Sequence, residues 1–437
     1  MLVQPNRRRS ASAPVDRPWI RKPGNIALAL VGSAWIIVLT TILSHRIFVT
    51  NDALSNYIHV WYIADRFWSG HGVPLHMPVI GHGDAYAFPY AFIPWMSAAL
   101  LRPLLGDWVV TLWLVVGAAG VIATQWWAFP ELRGGWWTAL LLLNPMLIEG
   151  PILGQLPFLW AVAMFFGAIA LWRSDRPIAA ALLMGLSQAT HPAVMLPIVG
   201  PLVVARLWWE PKRGRLIAAY VASLAIAVPA VVLVLISPTV EDVSTKVLLG
   251  NFLGTVSLRA LVTAGPFIAL ALRRMPFARW PAALMAILIV MNLVLVPVRR
   301  DIFGWGALTR TPETAGAEFV RSEGFEAGAM YRVLAGRDGK VSMYQLLRAG
   351  ARLDSEPFPE SIHRSDFKSL EVYRAFLLKR KVDYVLIYDG FDRHYGSNEH
   401  ALLERLVEAG AGADGLCARL MTREPTYDVY RLRRSGC

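Results

Sequence analysis

The stretch Thr50–Pro74, TNDALSNYIHVWYIADRFWSGHGVP, decides how the chain is read. From Leu54, apolar residues recur at Tyr57, Ile58, Trp61 and Tyr62, a helical stripe suited to a membrane interface. Asp52, Ser55, Asn56 and His59 fall near the opposite face. Upstream lies the apolar run Asn25–Ser44, long enough to cross a bilayer. It is preceded by Arg7, Arg8, Arg9, Arg17, Arg21 and Lys22. No small-residue cleavage pattern follows the run, so it reads as an uncleaved first span with residues 1–24 cytoplasmic. Asp52 then stands just beyond that span, at the start of a helix lying on the outer membrane surface.

The composition supports a membrane reading of the whole chain. Of 437 residues, 55% are hydrophobic and only 17% charged, against about 25% charged in soluble domains. A disordered chain, a collagen and a disulfide scaffold are excluded, the last because there are only two cysteines, Cys417 and Cys437. The 43 Lys and Arg against 31 Asp and Glu give a net charge of +12. Much of that excess sits in short connections between apolar runs, where membrane topology places it, so nucleic acid is not an expected partner.

The predicted fold class is a polytopic α-helical membrane protein with a small C-terminal extracytoplasmic α/β domain. Candidate spans are 25–44, 108–128, 136–153, 156–172, 178–190, 192–208, 216–236, 257–272 and 280–298, within a membrane domain over 25–300. The basic connections Arg133, Arg173 with Arg176, Lys212 with Arg213 and Arg215, and Arg273 with Arg274 and Arg279 go inside with the N-terminus. Residues 89–105 are apolar enough to span, but crossing there would flip every later basic loop outward. Pro89, Pro94 and Pro103 are expected to break this segment, which reads as re-entrant or interfacial. The outer face then carries the long loop 46–107, the Glu149–Gln155 turn, Thr190-His191-Pro192, the loop 237–256 and the domain 301–437.

In that last region strands are predicted at Tyr331–Ala335, Val382–Asp389 and, as an edge, Tyr427–Leu432. Helices are predicted at Ser369–Lys381 and His400–Ala409. Cys417 and Cys437 both fall in this domain and would pair if near each other. Asp383 and Asp389 read as turn or cap residues.

A first span, an outer Asp, then a surface helix with Tyr57 and a Gly-containing turn resembles the GT-C membrane glycosyltransferases, most of all those that use polyprenyl-phosphate-mannose. The segment Asn144–Pro192 resembles them too. It carries Asn144-Pro145, Gly154-Gln155 before a span, the short basic loop Arg173–Arg176, a helix containing Gly185, and His191 before Pro192. The sequence departs from the family pattern at Asn51, where some members have a second acidic residue, and at His191, where many have Lys.

The resemblance implies transfer of a sugar from a polyprenyl-phosphate donor to an extracytoplasmic glycolipid, polysaccharide or protein, with inversion. One base takes the acceptor hydroxyl proton, and the leaving phosphate needs cations or donors rather than a proton. By analogy Asp52 is the base, His191 and Lys246 are candidates for the phosphate with Arg259 a lesser one at the mouth of its span, and Gln155 bonds the sugar. Glu149 is a second acidic candidate, since a charge at a span's end is expensive and usually has a partner. His59, on the polar face of the surface helix, is a further substrate-binding candidate.

Each residue also has a bland reading. Asp52 suits an N-cap, which is compatible with catalysis. His191 satisfies a helix end, Gln155 bridges helices, Lys246 is solvated, and Arg259 snorkels. His71, His76, His82 and Asp84 match no tight metal spacing, so no metal and no cofactor are expected, although some proteins of this fold use a divalent cation. There is no phosphate loop, dinucleotide fingerprint or zinc-protease motif. The paired tryptophans at span ends, such as Trp126-Trp127 and Trp208-Trp209, read as an aromatic belt. The rival reading is a non-enzymatic transporter or assembly scaffold. No duplicated half supports it.

Overall fold

The computed structural model describes residues 22–44, 53–81, 85–236, 259–260, 262–274, 280–298, 315–322, 324–334, 340–354, 367–388, 391–395, 397–410, 415–425 and 427–434. The membrane part is built from α1 (Pro23–Ser44), α2 (Ala53–Arg66), α3 (Phe92–Leu105), α4 (Trp108–Ala128), α5 (Gly135–Leu142), α6 (Pro145–Ile152), α7 (Leu156–Arg173), α8 (Pro177–Thr190), α9 (Pro192–Leu207) and α10 (Arg213–Ile236). It closes with α11 (Val262–Arg273) and α12 (Trp280–Val298).

Among the described residues, α1, α4, α7 and the first 21 residues of α10 are long and apolar enough to cross a membrane; α3, α8, α9 and α11 are shorter apolar helices. The helices begin and end where the chemistry dictates. Pro177 and Pro192 sit at first helical positions, where no intrahelical N–H is lost. Arg173 closes the last turn of α7.

Side-chain contacts show which ends lie together. At one end Arg173 pairs with Glu131, Lys212 and Arg215 both reach Asp175 at 3.0 Å, and Arg206 reaches Glu210 at 3.0 Å. The basic connections therefore gather on one side. At the opposite end Trp108 Nε1 donates to Leu43 O at 3.0 Å, so the chain returns after residue 44 to the level it left. Residues 89–105 thus fit between two ends on the same side. The 14 residues of α3 rise only about 21 Å, short of the ~30 Å of a hydrocarbon core.

Three expectations need correction. Prolines do not break 89–105: Pro94 lies in the first turn of α3, where its missing N–H costs nothing, and Pro103 lies in the last. The run 136–153 is not one continuous span but two short helices, α5 and α6. The break falls at Leu143-Asn144 ahead of Pro145, and the Asn144 side chain accepts from Met146 N at 3.1 Å. Most important, α2 does not lie on a lipid surface. Residues Ala53–Val60 are all buried, on both its polar and its apolar face.

What covers α2 is protein. Against its apolar stripe sits Tyr344, with ring centroids 6.0 Å from Tyr57 and 6.3 Å from Trp61. Tyr344 belongs to the C-terminal domain, whose elements are α13 (Ala315–Val320), β1 (Met330–Leu334), α14 (Lys340–Arg348), β2 (Arg352–Leu353), α15 (Leu370–Lys379), β3 (Tyr384–Tyr388), α16 (Phe391–Tyr395), α17 (Glu399–Ala409), β4 (Cys417–Arg423) and β5 (Tyr427–Arg433). The sheet order is β2-β1-β3-β5-β4, with β1, β2 and β3 parallel and β5 antiparallel to both neighbours. β5, expected at an edge, therefore lies inside the sheet. β4 takes the edge with alternating exposure.

Helix α15 starts from Ser369, whose Oγ accepts from Val372 N at 3.3 Å. Asp383 is structural, accepting from Met330 N at 2.9 Å. Cys417 is disulfide-bonded; Cys437 lies outside the described residues.

The domain is seated firmly. Leu353 N donates to Val79 O at 2.8 Å, and Ile80 forms a parallel bridge with Leu353, so the loop after α2 extends the edge of the sheet. Asp107, between α3 and α4, accepts from Tyr344 OH at 2.7 Å, from Arg348 at 3.0 Å and from Arg102 at 2.9 Å.

Candidate active site

The candidate site lies where the start of α2 meets the turn between α6 and α7. That turn ends Leu153-Gly154-Gln155, and Gly154 takes φ +73°, a conformation open to glycine at little cost. A Cβ at Gly154 would collide with the backbone nitrogen and Cα of Ala53. Glycine is thus required twice here, by conformation and by close approach. Ala53 follows Asp52 in the chain. Asp52 itself lies outside the described residues, as do Lys246 and the side chain of Glu149.

A buried polar chain fastens this junction. Asn56 Nδ2 donates to Gly154 O at 2.6 Å, and Trp95 Nε1 on α3 donates to Asn56 Oδ1 at 2.8 Å. His59 stacks on Trp95 with ring centroids 4.0 Å apart, and its Nδ1 donates to Ala87 O at 2.9 Å. Burial pushes His59 down to about 4, so the ring is neutral near pH 7. His59 is therefore packed inside the protein, stacked on Trp95 and bonded to Ala87, rather than lying on an open surface. The signal for that packing was available only once α3 was seen to cover the polar face.

Three predicted residues do come together. Arg259 donates from Nη2 to Gln155 Oε1. The same guanidinium lies 5.5 Å from the centroid of the Phe158 ring, one turn into α7. His191 joins α8 to α9, its ring edge-on to Phe158 at 6.3 Å and 5.6 Å from Tyr90. Ala91 N donates to Thr190 O at 3.2 Å, and Ala91 holds φ +60°, a strained value that brings Tyr90 against His191. Burial, reinforced by the nearby Arg259 charge, pushes His191 down to about 3. It is thus a neutral hydrogen-bonding group rather than a cation. Its Nδ1 is buried and has no hydrogen-bond partner among the described residues.

Trp95, Tyr90 and Phe158 were not singled out from sequence, and Asn56 and Gly154 were noted there without a role. Only Gly154 carried a visible signal, as a glycine beside Gln155. Among the described residues no group of three or more His, Cys, Asp or Glu is placed to hold a metal ion. His71 bonds Ser69 at 2.8 Å and His76 pairs with Tyr86, while His82 and Asp84 lie outside the described residues.

The apolar helices and the α/β domain seated over one end of them give the chain the fold class expected from its sequence, a polytopic helical membrane protein of GT-C-like fold. No protein-family model and no curated protein sequence matches it. The fold resembles the crystal structure of ArnT from Cupriavidus metallidurans bound to undecaprenyl phosphate, with a TM-score of 0.50 and 13% identity, covering 94% of this chain and 99% of that one. The archaeal oligosaccharyltransferase AglB from Archaeoglobus fulgidus, in complex with an inhibitory peptide and a dolichol-phosphate, gives a TM-score of 0.34 at 14% identity, over 68% of this chain and 40% of that one.

Proposed function

We propose that this protein is a membrane glycosyltransferase that moves a sugar (mannose or another hexose or pentose) from a polyprenyl-phosphate donor to an extracytoplasmic glycolipid, polysaccharide or protein. The observation that carries the reading is the seam itself. The start of α2, directly after Asp52, packs on the turn that holds Gln155, and Gln155 holds Arg259 beside His191. A structure of this fold was determined with undecaprenyl phosphate bound, which supports the same class of donor here.

In the proposed reaction Asp52 accepts the proton of the acceptor hydroxyl as that oxygen attacks the anomeric carbon. The bond from the anomeric carbon to the phosphate oxygen breaks, and polyprenyl phosphate departs with the electron pair from the opposite face, inverting the configuration. Arg259 stabilises the developing phosphate charge, and Gln155 orients it. His191, neutral, supplies a hydrogen bond to the sugar or the phosphate. Glu149 and Lys246 remain candidates for the same pocket. No cofactor or divalent cation is assigned.

The orientation proposed is a multi-pass protein of the cell membrane, N-terminus in the cytoplasm and C-terminal domain outside. The basic connections on the side away from the domain support it, as does the disulfide at Cys417, which belongs in an oxidising compartment.

The test is transfer of labelled sugar from polyprenyl-phosphate-mannose and -glucose in membranes carrying wild type or Asp52→Asn, with and without EDTA. Label is expected with wild type alone, unchanged by EDTA. Equal label from Asp52→Asn would remove Asp52 as the base. Loss with EDTA would restore a cation to the mechanism.

A further inference from the structure

The bonds of Asn56 connect two halves of the seam that are far apart in sequence. Its carboxamide is almost wholly buried, at 1% exposure. One arm donates to Gly154 O at 2.6 Å and the other accepts from Trp95 Nε1 at 2.8 Å. Asn56 lies one helical turn after Ala53, and Ala53 is the residue on which Gly154 rests. Gly154 in turn is followed by Gln155, the partner of Arg259. A single side chain therefore sets the spacing between the start of α2 and the Gln155–Arg259 pair. It also ties both to α3.

Asn satisfies both contacts at any pH; at that length only a protonated Asp could do the same. A donor is needed for the Gly154 carbonyl and an acceptor for the Trp95 indole N–H, two groups otherwise stranded in the interior. Asp in this place, once ionised, would set a carboxylate against the Gly154 carbonyl while still accepting from Trp95. Leu would match the volume and leave both partners unsatisfied.

We infer that Asn56 is a positioning residue of the transfer reaction: it holds the Gly154–Gln155 turn, and with it Arg259, at fixed distance from the chain segment that carries Asp52. The inference rests on the glycosyltransferase reading. Reacting groups misplaced by about 1 Å lose roughly 100-fold in rate, because orientation and not binding is disturbed. The signature is thus a fall in kcat with donor KM nearly unchanged.

The experiment compares full-length wild type, Asn56→Asp, Asn56→Leu and Trp95→Phe in lipid nanodiscs. It measures kcat and donor KM with the polyprenyl-phosphate sugar that wild type uses, and thermal unfolding of each variant. Asn56→Asp and Asn56→Leu are expected to lose about 10- to 100-fold in kcat, with donor KM within about threefold, beyond what any fall in their unfolding temperatures accounts for at the assay temperature. Trp95→Phe, which keeps the Asn56–Gly154 bond, is expected to lose less than either. Wild-type kcat in folded Asn56→Leu, or in Asn56→Asp on the alkaline side where the carboxyl has lost its proton, would overturn the inference, as would a kcat loss in all three variants that simply follows their unfolding temperatures. If Asn56→Leu does not fold, the isosteric Asn56→Asp carries the comparison. Should wild type transfer no sugar from any donor, the glycosyltransferase reading falls and this role falls with it. An active wild type with fully active Asn56 variants removes the positioning role alone.

Discussion

In the C-terminal domain Arg332 is enclosed by two carboxylates, Glu399 at 2.6 Å and Asp354 at 2.8 Å, all three buried. At the seam of the bundle, Arg259 is met by the Gln155 carboxamide and the face of Phe158, beside a histidine kept neutral by burial. The first arrangement closes a cation inside an ion-pair network and raises the Arg332 pKa well above its ordinary value, through Glu399 and Asp354 acting against desolvation. Its yield is a rigid sheet domain. The second sets a cation against a carboxamide and an aromatic face at a junction of helices. A fully buried charge serves structure in one region, and in the proposed reaction a half-buried one serves chemistry in the other.

That contrast can be broken at either end. Glu399→Leu is expected to have the largest effect. Removing one partner of a buried ion pair typically costs 3–5 kcal/mol, here about that much of the C-terminal domain's stability. Limited proteolysis and thermal unfolding measure it. A variant as stable as wild type would show that the network contributes nothing. Arg259→Met should do the reverse, lowering sugar transfer by about 100-fold while the unfolding temperature stays near wild type, since a preorganised charge acts on the departing phosphate. If Arg259→Met instead unfolds and retains its specific activity per folded molecule, the two arginines are alike and the contrast is wrong.

The smallest effect is expected at the joint between the regions. Asp107→Asn weakens acceptance from Tyr344, Arg348 and Arg102, and a hydrogen bond to a charged group is worth about 1.5–3 kcal/mol. Faster amide exchange confined to α14 and the Val79–Leu353 pairing would report the loosened joint. Unchanged exchange there would mean that the strand pairing alone seats the domain.

Much of the bundle was legible because a span is a local property. The run 25–44 predicts α1 nearly to the residue, and 108–128 coincides with α4. Proline and asparagine at 144–145 were equally visible, yet the run across them reads as one span, because hydropathy does not register a missing backbone bond. The sheet was half legible. β1 and β3 stand out as apolar runs, whereas the place of β5 inside the sheet depends on β4, whose alternating pattern is mixed with Arg419 and Arg423. Of the site, Gln155, His191 and Arg259 were named from the chain and do meet. The burial of His59 was not legible, since a polar face shows no sign of which partner will cover it.

The sequence by itself determined that the chain enters a membrane, which connections carry its positive charge, and that an α/β unit follows. These rest on composition and on periods of two and 3.6 residues, which any local window contains. Only the tertiary structure decided that α2 is clamped between α3 and the C-terminal domain, and that Asn56 bonds the carbonyl of Gly154, 98 residues away. It also decided that Asp107 receives Tyr344 across 237 residues. Such contacts arise from how faces of several helices are paired, and a carboxamide or carboxylate in the chain carries no mark of the distant donor that will reach it.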